Sequence, residues 1–246
     1  QIGCLLLDYI LSQKAERGAL PENAAAVKSF VSTEMARAIA SAYGAATFDV
    51  PTGFKYIAEK IQQFEDTGTH TFVFGFEESF GYLSGTQVRD KDGVNACMLI
   101  AETAAYYKKR GMTLYDALMG LYDRYGWYLE KTLSHTLKGK DGQARIAHIL
   151  RSLRENPPAE VAGLKVLAAR DYLTGIRTSD GTTEKIDFPP SDALYYELEG
   201  GAWTAIRPSG TEPKVKLYIG IRENTGDAAR ALLDRTAEGA LELMEG

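Results

Sequence analysis

Eight consecutive residues, Arg207-Pro208-Ser209-Gly210-Thr211-Glu212-Pro213-Lys214, carry the chemistry of an anion cradle. Arg207 offers a planar fork that meets phosphate oxygens in pairs. Ser209 and Thr211 add hydroxyl donors, and Gly210 frees the backbone to turn N–H groups inward. The two prolines restrict the unfolded loop and help to pre-organise it. A second segment, Gly75-Phe76-Glu77-Glu78-Ser79-Phe80-Gly81-Tyr82, sets paired carboxylates beside a serine. Carboxylates accept hydrogen bonds from vicinal hydroxyls, and a missing hydroxyl leaves them unpaired at a cost, so the group suits a polyol. A third, Pro51-Thr52-Gly53-Phe54-Lys55, joins a strand to a helix, where free N–H groups favour anions. Each has a bland alternative: a hairpin turn, a capped helix start and an ordinary strand–helix connection.

These loops need elements to hold them. Ile2, Leu5, Leu6, Tyr9 and Ile10 have helical spacing. A strand is predicted over Ala25–Ser32, a helix from Thr33 to Tyr43, a strand over Ala46–Val50 and a helix beginning at Phe54. The near-continuous β-type run His70–Phe76 reads as a strand buried on both faces, followed by a polar loop from Glu77 to Gly93 and helices near 94–109 and 113–125. Such alternation predicts βαβ units in a mixed, largely parallel sheet. After Gly126 strands dominate: Trp127–Leu137, then 164–170, 193–199, 202–207 and 214–222, with helices at 141–154 and 227–244. The expectation is an α/β domain over 1–126 followed by an α+β domain with an antiparallel sheet over 127–246. The cradle at 207–214 then lies between two strands of the second, and the carboxylate loop follows a buried strand of the first, where α/β proteins bind ligands.

Composition narrows the classes. The 246 residues are 45% hydrophobic and 25% charged, with a formal net charge of −5. That profile is ordinary for a globular protein and lacks the basic stripe of a nucleic-acid binder. No apolar run approaches the ~18–20 residues that span a bilayer, so neither nucleic acid nor membrane is expected as a partner. Cys4 and Cys97 are too far apart for a disulfide framework, and both read as buried thiols in a reducing, cytoplasmic compartment. His70, His135 and His148 lack ligand spacing, so no metal site is expected.

The Arg-Pro-Ser-Gly-Thr-Glu-Pro string resembles the phosphate-binding loop of the last domain of the α-D-phosphohexomutases, the phosphoglucomutase and phosphomannomutase family. Arg207, Ser209, Gly210 and Thr211 match its phosphate-contacting positions. Gly-x-Glu-Glu-Ser-x-Gly is similar to the sugar-binding loop of the family's third domain, with Glu77 and Ser79 at the positions that hold the sugar hydroxyls. Some members carry a histidine after the loop's glycine. Gly81 and Tyr82 stand there in this chain, which resembles the phosphoglucomutase and phosphopentomutase branches more closely. Arg89-Asp90-Lys91-Asp92-Gly93 continues the likeness, and the resemblance makes Lys91 a candidate general acid/base. A lysine serves that role only if burial or a neighbouring cation lowers its pKa, and Asp90 and Asp92 push the other way. Thr52, Gly53, Lys55 and Arg89 would line the same cleft.

The resemblance runs along the whole chain, aligned to domains three and four of the family. The phosphoserine loop of domain one and the Asp-x-Asp-x-Asp-Arg metal loop of domain two are not found in the 246 residues. They would lie upstream of Gln1, which begins directly inside a helical pattern. The implied activity is interconversion of hexose 1-phosphate and hexose 6-phosphate through a phosphoserine and a bisphosphate. Mg²⁺ and glucose 1,6-bisphosphate would serve the full-length parent, and neither is expected on this piece, which would be inactive alone. A phosphopentomutase and a stand-alone phosphosugar-binding module remain the alternatives.

Overall fold

The computed structural model describes residues 1–137, 141–209 and 212–244. The chain divides into two compact units, Gln1–Gly126 and Trp127–Gly246.

In the first unit the elements run α1 (Ile2–Glu16), β1 (Ala24–Ser29), α2 (Met35–Ala42), β2 (Ala46–Val50), α3 (Phe54–Thr67), β3 (Thr71–Phe76), β4 (Tyr82–Leu83), α4 (Gly93–Lys108) and α5 (Leu114–Tyr125). The sheet order is β2-β1-β3-β4. β1 pairs in parallel with both β2 and β3, and β4 returns antiparallel to β3, so the sheet is mixed and mostly parallel as predicted. β1 is buried at every position, as a strand covered on both faces must be. α3 sets Phe54, Ile57, Ile61 and Phe64 against Val27, Val50, Phe72 and Leu83. It ends at Gly68, whose φ of 64° only glycine adopts freely. α5 begins with a reciprocal cap: Thr113 Oγ1 accepts from the Asp116 N–H at 3.1 Å, and the Asp116 carboxylate accepts from the Thr113 N–H at 2.8 Å.

One expectation fails here. Cys4 is buried, but Cys97 is exposed. α4 also exposes Val94 and Met98, so an apolar sequence runs round the helix and periodicity cannot say which side faces inward. The 77–93 loop holds β4, and Glu34, not Thr33, occupies the N-cap position of α2.

The second unit contains β5 (Trp127–Thr136), α6 (Gly142–Glu155), β6 (Glu160–Val161), β7 (Leu164–Asp171), β8 (Ile176–Ser179), β9 (Thr182–Lys185), β10 (Leu194–Leu198), β11 (Trp203–Pro208), β12 (Lys214–Glu223) and α7 (Gly226–Glu242). The strands order as β5-β12-β11-β10-β7-β8-β9, with β6 beside β7, and each described pairing is antiparallel. Ile146, Ile149 and Leu150 of α6 and Ala229, Ala237 and Ala240 of α7 pack on Tyr196, Ile206, Leu217 and Ile219 of the sheet.

Gly220 of β12 lies opposite Trp203 of β11. A β-carbon at Gly220 would come within 2.3 Å of the Trp203 indole. Gly220→Ala is therefore expected to cost about 1–3 kcal/mol through overpacking, read as a lower urea midpoint with an unchanged slope. No helix among the described residues is long and apolar enough to cross a membrane.

Candidate functional site

Each unit carries one candidate site, and each is described by itself. In the first unit, β1, β2 and β3 run the same way, so the segments after Ser29, Val50 and Phe76 emerge at one edge of the sheet. The order 2-1-3 reverses the winding direction at β1. A crevice opens at the carboxyl ends of β1 and β3 in such a sheet, and ligands bind there.

Glu77 stands at that edge. Its side chain accepts a hydrogen bond from the Gly53 N–H at 2.6 Å, which joins the loop after β3 to the loop after β2. Gly53 has φ 121° and ψ 120°, a backbone that side chains strongly disfavour. The glycine in Pro-Thr-Gly is thus what aims this N–H at the carboxylate. The Glu77 N–H donates to the Gly81 carbonyl at 2.9 Å and closes the loop on itself. Burial raises the Glu77 pKa above its ordinary value, the Gly53 hydrogen bond opposes the rise, Glu78 adds to it and Lys91 counters it.

Lys91 crosses the same loop. Its stem lies so close to Gly81 that a β-carbon there would meet Lys91 Cδ at 2.9 Å. Its ammonium sits 5.3 Å from the centre of the Phe54 ring and 2.8 Å from Asp90 Oδ1. Hydrogen bonds from the Lys91 side chain and backbone hold Asp90 below the usual carboxylate range. Of the remaining expected residues in this unit, Thr52 is half-buried beside Gly53, while Ser79 and Lys55 are exposed. Lys55 Nζ lies 4.7 Å from the centre of the Tyr56 ring. Arg89 is tied to Glu65 of α3 by an ion pair. The fold thus joins Gly53 to Glu77 directly, lays Lys91 across Gly81 of the same loop, and leaves Ser79 and Lys55 presented to solvent.

Sequence reading passed over the charged cluster below these loops. Lys28, only 1% exposed, pairs with Glu34 Oε1 at 2.8 Å and Asp49 Oδ1 at 2.9 Å. Arg37 bonds to the same two carboxylates at 2.8 and 2.6 Å. A lysine inside an otherwise apolar buried strand, Ala24–Ser29, was the available signal.

In the second unit, Arg207 and Ser209 line a cleft of about 440 Å³ together with Gln143, Ile146, Ala147, Leu150, Ser191, Asp192, Pro208 and Glu212. Two carboxylates face it, and each already has a cation: Asp192 is bonded to Arg154, and Glu212 lies 3.0 Å from Lys214 Nζ. An incoming anion therefore meets partly neutralised groups. The Ser209 N–H donates to the Lys214 carbonyl at 2.7 Å and so closes the hairpin. Gly210 and Thr211 lie outside the described residues. Gln143 and Ser191 had no sequence signal, since they reach the cleft from α6 and from the segment before β10.

Two family models match the chain: phosphoglucomutase/phosphomannomutase alpha/beta/alpha domain III over residues 1–125, and the C-terminal domain of the same family over residues 150–239. The chain belongs to the phosphoglucomutase/phosphomannomutase family. A phosphoglucomutase of Staphylococcus aureus (strain bovine RF122 / ET3-1) is 39% identical over 235 residues, which is 94% of this chain and 41% of that relative. The phosphoglucomutase of strain MRSA252 is 40% identical over 224 residues, or 90% of this chain and 39% of the relative. The chain thus spans about two fifths of the length of these relatives. Among solved structures, the open form of parafusin, a phosphoglucomutase from Paramecium, matches 99% of this chain and 41% of its own with a TM-score of 0.66 at 18% identity. A phosphoglucomutase/phosphomannomutase family protein from Burkholderia thailandensis matches with a TM-score of 0.57 at 14% identity, over 99% of this chain and 42% of its own. At those identities the structures bear on the fold alone.

Proposed function

We propose that the full-length protein is a phosphohexomutase that interconverts hexose 1-phosphate and hexose 6-phosphate, with glucose as the favoured sugar, and acts in the cytoplasm. The observation that carries this reading is the 39% identity to a phosphoglucomutase across 94% of the chain. In the proposal Glu77 and Ser79 accept and donate hydrogen bonds at the sugar hydroxyls. Thr52, Gly53, Lys55 and Arg89 line that cleft. Lys91 supplies positive charge near the reacting oxygen and is the candidate general acid/base. Arg207, Ser209, Gly210 and Thr211 hold the phosphate that is not being transferred.

The reaction moves a phosphoryl group from an enzyme serine to the free hydroxyl of the sugar phosphate. That gives glucose 1,6-bisphosphate, and the other phosphoryl then returns to the serine. The donor serine belongs to the remaining domains of the same protein. Mg²⁺ offsets charge on the transferring group when bound. Among the described residues no three His, Cys, Asp or Glu side chains gather closely enough to hold a metal ion, and the proposal places its ligands in the metal loop that the family resemblance puts in domain two. This chain contributes positioning and charge complementarity, and by itself is expected to turn over no substrate.

Following the conversion of each sugar 1-phosphate directly, by the phosphorus resonances of substrate and product, tests the reading. The full-length protein is expected to convert glucose 1-phosphate with a higher kcat/KM than mannose or ribose 1-phosphate. Arg207→Ala is expected to raise KM roughly 10- to 100-fold, the worth of one charge-assisted, bidentate contact. Absence of turnover on all three sugars, or wild-type turnover by residues 1–246 alone, would overturn the proposal.

A further inference from the structure

Glu78 has no part in the reading above, which gives the sugar to Glu77 and Ser79. Its side chain nevertheless crosses the crevice at the β1/β3 switch point. Ser29 ends β1 and is fully buried, and its hydroxyl donates to Glu78 Oε2 at 2.7 Å. The Ser29 and Ser32 hydroxyls lie 2.8 Å apart. Since the Ser29 proton points to Glu78, the Ser32 hydroxyl donates to Ser29. The turn is closed by the Ser32 N–H donating to the Ser29 carbonyl at 2.9 Å, and the Ser32 carbonyl accepts from Lys28 Nζ at 3.1 Å. A directed chain therefore runs from Ser32 to Ser29 to Glu78, with a buried ammonium on the same turn, and each bond polarises the next.

The loop from Glu77 to Gly81 is thus anchored by two consecutive carboxylates to two different neighbours. Glu77 holds the loop after β2 through Gly53, and Glu78 holds the end of β1 through Ser29. Between these anchors and Gly81 the chain presents Ser79 to solvent and carries Phe80 at φ 63°, a left-handed backbone that a phenylalanine adopts only when held there. We propose that Glu78 is a positioning residue: bound to the Ser29–Ser32 pair, it fixes the angle at which Glu77 and Ser79 meet the sugar, and it does not itself touch the sugar. The inference rests on the sugar role proposed for that loop.

The test uses the full-length enzyme and measures kcat, KM for glucose 1-phosphate and Tm in Glu78→Ala, Glu78→Gln, Ser29→Ala, the double variant Ser29→Ala/Glu78→Ala, and Glu77→Gln as a control. Glu78→Ala and Ser29→Ala are each expected to lower kcat/KM roughly tenfold, the size of one hydrogen bond to a charged group. The double variant should fall no further than either single one, because both remove the same bond. Glu78→Gln keeps an acceptor for Ser29 and is expected within about twofold of wild type, with its Tm little changed. Glu78→Gln as impaired as Glu78→Ala, beside a normal Ser29→Ala, would mean direct sugar contact and overturn the inference. So would additive losses in the double variant. An unaffected Glu77→Gln would instead remove the sugar role of the loop, on which the inference stands.

Discussion

Lys28→Met is expected to destabilise the first unit by about 3–5 kcal/mol, the loss found when one partner of a buried ion pair is removed. The substitution leaves Glu34 and Asp49 facing one another with Arg37 as their only described cation, where two cations now serve two carboxylates. Domains are stable by only about 5–15 kcal/mol, so the Tm should fall on the order of 10–20 °C. Lys28→Met combined with Asp49→Asn should recover part of the loss, since it removes one uncompensated charge. A Tm within about 3 °C of wild type for the single variant would contradict the argument.

The same cluster sets an acid limit. Burial pushes Glu34 up, yet Lys28 and Arg37 outweigh it and bring its pKa down to about 2. A carboxylate depressed on folding adds stability above its unfolded value and surrenders it as pH falls toward the folded value. The wild-type unit should therefore lose stability between its ordinary value of 4.5 and about 2. Burial also pulls Lys28 down, but Asp49 and Glu34 overcome it and hold the ammonium above the ordinary lysine range. Its contribution is complete at neutral pH and fades only in strong base. In Lys28→Met the acid-dependent loss should shrink, because Glu34 is no longer held as far down.

The strands that carry the first site were legible because they are apolar runs bounded by turn residues, as at Ala46–Val50 and Thr71–Phe76. The loops at 75–82 and 207–214 stood out as strings of residue types. The hairpin of β8 and β9 was passed over, although its Asp180-Gly181 turn, with φ of 47° and 75°, is a strong hairpin signal. Its strands, Ile176–Ser179 and Thr182–Lys185, are mostly polar and exposed and bury no face that periodicity would reveal. The links that organise the site were out of reach for a different reason. Ser29 and Glu78 are 49 positions apart, and Gly53 and Glu77 are 24 apart. Neither pairing follows from local pattern, since it is the 2-1-3 strand order that brings those ends together.

Glu77→Gln separates what this carboxylate does for the ligand from what it costs the fold. The amide carbonyl can still accept from the Gly53 N–H, so the two loops stay joined. It replaces a charged acceptor at the sugar hydroxyls with a neutral one, and in the full-length enzyme kcat/KM should fall about a hundredfold, two charge-assisted hydrogen bonds weakened together. Stability should move the other way. Glu77 is 8% exposed, and burial raises its pKa. An acid whose pKa is raised on folding binds more protons folded than unfolded, so the wild-type unit loses stability as pH rises from about 4.5 through the folded value. The variant has no such proton to lose. Its Tm should exceed that of wild type at neutral pH and converge with it well below the ordinary value of 4.5, where the wild-type carboxyl is protonated in both states. A variant with lower turnover and a lower Tm at both pH values would mean that Glu77 is there to hold the fold. Lower turnover with a higher neutral-pH Tm would mark it as a charge kept buried for the sake of its ligand.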